Sequence, residues 1–322
     1  MVPRLADVYA ARRIIYETLR PTALLPHALL RAETGLDIYV KHENHNPTNS
    51  FKVRGGLNLV RQLTADERRG VMTASTGNHG QSIAFASRRE GVPCIVAVPE
   101  GNNPEKNASM RALGATVVEI GADFDAAREY VEAEHVARGL RYIHSANEPL
   151  LIAGVATLAV EIFEELPDAD TILVPVGGGS GASGVGLVRS ALGSRAQVIG
   201  VQAAGADAFT RSWRSGRRVS ARSVETLAEG MATRTTYDLT FDILSRELDD
   251  VVTLSEEEIV DGMRLALRAT HNLAEGAGAA SLAAAVKLRR SLAGRKVVCV
   301  MSGGNLDSGL LHPLLQTRPA GS

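Results

Sequence analysis

Lysine is scarce in this chain. Of the 35 basic residues only five are lysines, at positions 41, 52, 106, 287 and 296, so the search for a reactive amine is short. Cysteine is scarcer still. Cys94 and Cys299 each lie in an apolar run, 93–98 and 297–301, and both read as reduced core thiols. Neither sign of charge is in excess. A net charge of −1 argues against a nucleic-acid or anionic-membrane surface as partner. No apolar run is long enough to span a bilayer, and Met1-Val2-Pro3-Arg4 opens no apolar signal core. The cytoplasm is therefore the expected compartment. What is present is an ordinary globular composition, 45% apolar and 22% charged over 322 residues, enough for a large core and two domains.

Short apolar runs alternate with helical patterns. Strands are expected at 36–41, 71–75, 94–98, 116–120, 142–145, 171–176, 197–202, 251–254 and 296–301. Helices are expected at 5–19, 78–90, 104–113, 126–137, 150–166, 182–192, 256–271 and 278–292. Apolar strands alternating with helices predict an α/β protein with buried, largely parallel sheets. There is no internal repeat, and low complexity is confined to the tail from about Gln316.

Four strand-to-helix junctions carry unusual residues. In Ser50-Phe51-Lys52-Val53-Arg54-Gly55-Gly56 the spacing predicts a helix start capped by Ser50, with Lys52 in its first turn. A cation there meets the positive end of the helix dipole, which lowers the ammonium pKa and suits a nucleophilic amine. Ser75-Thr76-Gly77-Asn78-His79-Gly80-Gln81 closes a strand with small hydroxyls and an amide. Such a helix N-terminus suits a carboxylate or phosphate, and an N-cap turn explains only part of the run. Gly177-Gly178-Gly179-Ser180-Gly181 reads as a phosphate cradle. A dinucleotide site would need an acidic residue at the end of the next strand, and that strand ends in Gln202-Ala203-Ala204. No Gly-Lys-Ser/Thr follows, which excludes a P-loop, so a small phosphate monoester fits better. Finally, Ser302-Gly303-Gly304-Asn305 places a hydroxyl at the carboxyl end of a buried strand, where open α/β sheets bind ligands.

These four stretches, in this order, resemble the fold-type II (tryptophan synthase β-like) pyridoxal-phosphate enzymes, and within them the serine/threonine dehydratase and serine racemase group. The resemblance covers residues 6–307. It implies two open, largely parallel twisted α/β domains: a smaller one of residues 45–145 and a larger one combining 1–44 with 146–322. It implies that Lys52 forms the Schiff base with pyridoxal 5'-phosphate, beside Phe51. It assigns the ring hydroxyl to Asn78, the phosphate to Gly177, Gly178, Gly179, Ser180 and Gly181, and the pyridine nitrogen to Ser302. Gly230 and Glu275 line the cofactor, and Ser75, Thr76, Gly77, Asn78 and His79 hold the substrate carboxylate. A neutral serine at the ring nitrogen implies a weak electron sink and prompt loss of a β-substituent, with the cofactor phosphate as proton donor to the leaving hydroxide. The implied reaction converts an L-3-hydroxy amino acid to a 2-oxo acid and ammonia. A homodimer is expected by family.

Three departures stand out. Where racemases of the group carry a serine as opposite-face acid/base, this chain has Thr76, whose methyl crowds that face. Where cation-binding members carry carboxylates, it has Gln202, Ala206 and Ala208, with only Asp207 nearby, so no metal is expected. The stretch before the lysine, Asn44 to Asn49, is unusually polar, which leaves an aryl or acidic 3-hydroxy amino acid open as substrate. Serine racemisation, β-replacement and non-catalytic cofactor binding are the remaining alternatives. With no sequence after Ser322, a catabolic enzyme lacking a regulatory domain is expected. Arg54 and His79 are expected to be scaffold residues, with His79 near the cofactor.

Overall fold

The computed structural model describes residues 1–316. In chain order the helices are α1 (Leu5–Ile15), α2 (Ala28–Thr34), α3 (Lys52–Arg61), α4 (Asn78–Glu90), α5 (Pro104–Ala112), α6 (Phe124–Ala137), α7 (Pro149–Val155), α8 (Thr157–Glu165), α9 (Ser180–Ala191), α10 (Ala208–Ser215), α11 (Asp238–Glu247), α12 (Glu256–Thr270), α13 (Gly276–Lys287) and α14 (Leu311–Leu315). The strands are β1 (Leu24–Pro26), β2 (Asp37–His42), β3 (Val71–Ala74), β4 (Cys94–Val98), β5 (Thr116–Glu119), β6 (Arg141–Tyr142), β7 (Thr171–Pro175), β8 (Gln197–Ala203), β9 (Asp250–Leu254) and β10 (Lys296–Met301).

They form two sheets. One runs β1-β2-β10-β7-β8-β9, the other β5-β4-β3-β6. Every pairing is parallel except that of β1 with β2. The α/β expectation therefore holds, and the reason is visible in the strands. Val297 to Met301 of β10 are all buried, as a strand covered by helices on both faces must be. Cys94 and Cys299 are buried, and burial pushes the Cys94 thiol up to about 12 and the Cys299 thiol higher. Among the described residues no helix is long and apolar enough to cross a membrane.

Three local expectations are corrected. Strand β1 went unforeseen: it is a three-residue edge strand ending in Pro26, too short for a periodic signal. The single helix expected over 150–166 is two, α7 and α8, meeting at Ala156. Ser50 is not the cap of α3. Its backbone is engaged instead in an antiparallel bridge to Gly303, Phe51 precedes the helix, and the Ser50 hydroxyl has no partner among the described residues. Apart from Gln316, the low-complexity tail lies outside the described residues.

Candidate active site

Lys52 reaches its place through pairing between segments far apart in the chain. The Phe51 N–H donates to the Ser302 carbonyl at 3.0 Å, and the Gly304 N–H donates to the Asn49 carbonyl at 2.8 Å. The start of α3 is thus stitched to the carboxyl end of β10. Asn49 adopts a left-handed φ of 51° to make that turn. The Lys52 amine points into a cavity of about 450 Å³, within the range of small-ligand sites. Its hydrogen bonds are long, 3.3 Å to Ser180 Oγ and 3.4 Å to the Ser145 carbonyl. Burial lowers its pKa to about 8, because the ammonium loses water and gains no carboxylate in exchange.

The loop after β3 forms a second wall. Ser75 Oγ accepts from the Gly77 N–H at 3.1 Å and the Gly80 N–H at 2.9 Å, so Ser75 closes the turn into α4. The Asn78 and His79 N–H groups stand at the helix start, where no intrahelical acceptor exists. Asn78 is held at both ends: its Nδ2 donates to Glu275 Oε1 and its Oδ1 accepts from Asn305 Nδ2, each at 2.6 Å. Burial raises the Glu275 carboxyl above its ordinary range against the pull of Lys106 and Asn78. The His79 ring is buried and bonds Thr73 Oγ1 at 2.9 Å, and burial holds its pKa well below the usual histidine value.

The third wall is the glycine run after β7. A Cβ on Gly177 would lie 2.1 Å from the Gly230 carbonyl oxygen, and Gly179 adopts a φ of 90°. Only glycine meets both demands. Thr240 Oγ1 braces the loop by donating to the Gly178 carbonyl at 2.8 Å. Gln202 braces the strand end before it: its Nε2 donates to the Val176 carbonyl at 3.2 Å, and its Oε1 accepts from Thr210 N–H at 2.8 Å. The Ser180, Gly181 and Ala182 N–H groups occupy the first turn of α9. The Phe51 ring packs where a Cβ on Gly181 would approach it to 3.1 Å.

Every site residue expected from the sequence lines this one cavity: Phe51, Lys52, Ser75 to His79, Gly177 to Gly181, Gly230, Glu275 and Ser302. His45 and Asn49 do not. His45 stacks on His42 with ring centroids 4.8 Å apart and bonds Asn272, which makes it a turn residue. Arg54 is likewise structural, buried against Glu43 and Glu161. Sequence reasoning missed Lys106, Glu229 and Tyr237, which also line the cavity. Their positions follow no motif, and only the pairing of α5 with the 229–231 turn brings Lys106 inside. Lys106 Nζ bonds Glu229 Oε2 at 2.5 Å. Arg234 with Asp125, and Asn103 with Asp307, cross the same mouth.

A family model described as "Pyridoxal-phosphate dependent enzyme" matches residues 15–303. The chain belongs to that family. The enzyme is 37% identical to the L-threonine ammonia-lyase of Thermotoga maritima over 312 residues, 97% of this chain and 78% of that one. It is 32% identical to the L-threo-3-hydroxyaspartate ammonia-lyase of Saccharomyces cerevisiae, covering 100% of this chain and 99% of the relative. Its fold superposes on the crystal structure of the T.th. threonine deaminase with a TM-score of 0.90 at 34% identity, covering 95% and 99% of the two chains.

The enzyme's residues fit the family's cofactor. A glycine-walled cradle at a helix start suits a phosphate, and an amine without a counterion suits an aldehyde. Thr233 Oγ1, on the same cavity wall, has no partner among the described residues.

Proposed function

We propose that the enzyme eliminates water from an L-3-hydroxy amino acid of the threonine/serine type, giving a 2-oxo acid and ammonia. The observation that carries this reading is the meeting of Lys52, a half-buried amine with a pKa near 8, and the neutral Ser302 hydroxyl in one glycine-cradled cavity. The dehydratase and ammonia-lyase relatives support it.

In this reading Lys52 holds the cofactor aldehyde and residues 177–181 its phosphate. Asn78 would face the ring hydroxyl and Ser302 the ring nitrogen, with Phe51, Gly230 and Glu275 lining the ring. When bound, the cofactor supplies an electron sink for charge developing at the substrate α-carbon. The Lys52 amine, once released, is the base that takes the α-proton, and a pKa near 8 matches that task at neutral pH. The Asn78 and His79 N–H groups bind the substrate carboxylate at the positive end of α4. Ser302 is neutral and imposes no positive charge on the ring. Thr76, with its crowding methyl, disfavours proton return to the opposite face, so elimination outruns racemisation.

We further read residues 45–145 as a smaller domain that closes on 1–44 and 146–322, excluding water from the cavity. Its mouth already carries cross-cleft polar contacts. A cytoplasmic homodimer is the assembly we infer. The test is a 2-oxo acid assay across L-serine, L-threonine, 3-hydroxyaspartate and phenylserine. Ammonia and 2-oxo acid release from at least one is expected. A cofactor-loaded protein inert toward all four sinks the reading.

A further inference from the structure

Lys106 is the second ammonium in the reaction cavity. It is 9% exposed, and its stem lies under the substrate loop, where a Cβ on Gly77 would come within 3.3 Å of its Cδ. Its ammonium has one partner among the described residues, the Glu229 carboxylate at 2.5 Å. That carboxylate belongs to the opposite wall and is half-exposed. The pair is therefore asymmetric: the cation is fixed inside the cavity, and the anion is free to swing into water.

Such a pair suits exchange. Withdrawing a buried lysine from its only counterion is costly, so an uncharged substrate side chain leaves the pair closed. An incoming carboxylate replaces Glu229 charge for charge, and Glu229 recovers its hydration outside. The other ionisable groups lining the cavity offer no second cation for this role. Lys52 is committed to the cofactor in the reading above, Glu275 holds Asn78, and Asp123 caps α6 beside Arg234. His79 bonds Thr73, the Tyr237 ring packs on His144, and the Glu100 carboxylate is exposed to solvent. The substrate's α-carboxylate has its own donors in the Asn78 and His79 N–H groups. A cation left over beside that loop is placed for a second carboxylate.

We propose that Lys106 is a specificity-determining residue that selects 3-hydroxy amino acids carrying a side-chain carboxylate, exchanging Glu229 for it. This rests on the dehydratase reading and extends its threonine/serine-type substrates to the acidic 3-hydroxy amino acids, the class that Lys106 favours.

The experiment compares L-threo-3-hydroxyaspartate with L-threonine in the cofactor-loaded enzyme. Lys106→Met keeps the stem against Gly77 and removes the charge. The ratio of kcat/KM for 3-hydroxyaspartate over threonine is expected to fall by about 30-fold or more, mostly through KM, as for loss of one partner of a buried charge pair. Glu229→Gln removes the competitor and should move the ratio the other way. A ratio unchanged in Lys106→Met, or a fall in Glu229→Gln, overturns the proposal. Binding is read separately by thermal shift with succinate against acetate. Wild type is stabilised more by succinate, and Lys106→Met loses the difference. If no 3-hydroxy amino acid yields a 2-oxo acid, the dehydratase reading fails, and the succinate comparison alone decides Lys106. Absence of a succinate preference in wild type then overturns it.

Discussion

Lys52 and Arg54 are two residues apart on α3, and both carry their cationic groups out of bulk water. Their fates are opposite. Arg54 donates to both oxygens of Glu43, at 2.7 and 2.8 Å, and to both oxygens of Glu161, at 2.6 and 2.9 Å. Lys41 adds a second cation, 2.6 Å from Glu161, and completes a quartet of two cations and two carboxylates. Burial works against the Arg54 charge, but the Glu43 and Glu161 carboxylates overcome it and hold the guanidinium well above its ordinary pKa. Burial likewise opposes the Glu161 charge, and Arg54 and Lys41 bring that carboxyl below its usual range. At Lys52 burial acts alone, and the amine falls to about 8. The lesson is that counterions, not burial, decide whether an interior cation is inert scaffold or a reactive amine.

That contrast can be broken in three places. The largest effect is expected at Lys52. Lys52→Ala should lower turnover by about a thousandfold or more, by loss of both cofactor attachment and base, while the urea unfolding midpoint stays close to wild type. Measurable turnover at near wild-type rate breaks the comparison outright. Next comes Arg54→Leu, which leaves buried Glu43 without a cation and buried Glu161 with Lys41 alone. Chemical denaturation should show a loss of about 3–5 kcal/mol. A loss under about 1 kcal/mol would mean the quartet is not structural. The smallest effect is a pH dependence. Only neutral Lys52 attacks an aldehyde, and its neutral fraction rises as pH passes upward through about 8. Cofactor uptake by the apo-protein should therefore speed up by about tenfold between roughly pH 7 and pH 9 and then level off. A rate that is flat or falls with pH would contradict a lowered lysine pKa.

The same contrast explains what the sequence made legible. Strand positions were readable because fully covered parallel strands are unbroken apolar runs, as in 94–98 and 296–301. The cavity walls were readable because each needs a local device, a glycine run or a hydroxyl at a strand end, written into consecutive residues. Arg54 was readable as scaffold, but not with which partners. Its partners Glu43 and Glu161 come from 11 residues before it and 107 after it, and no spacing rule links them. Lys106 was hidden for the same reason, 123 residues from Glu229. Beside it, the Ser50 cap failed because backbone pairing with Gly303 outweighed a side-chain preference.

The strand order carries a consequence for how the chain matures. β10 lies between β2 and β7 at the heart of its sheet, yet among the described strands it is the last to leave the ribosome. Until residues 296–305 are free, β2 and β7 have an open seam between them, and the Lys52 segment lacks the hydrogen bonds to Ser302 and Gly304 that seat it. Lys52 is made early and seated late. A nascent chain halted before residue 296 carries the reactive amine and the glycine cradle but no finished place for the ligand. Its open strand edges at β2 and β7 leave it prone to pairing with the wrong strand.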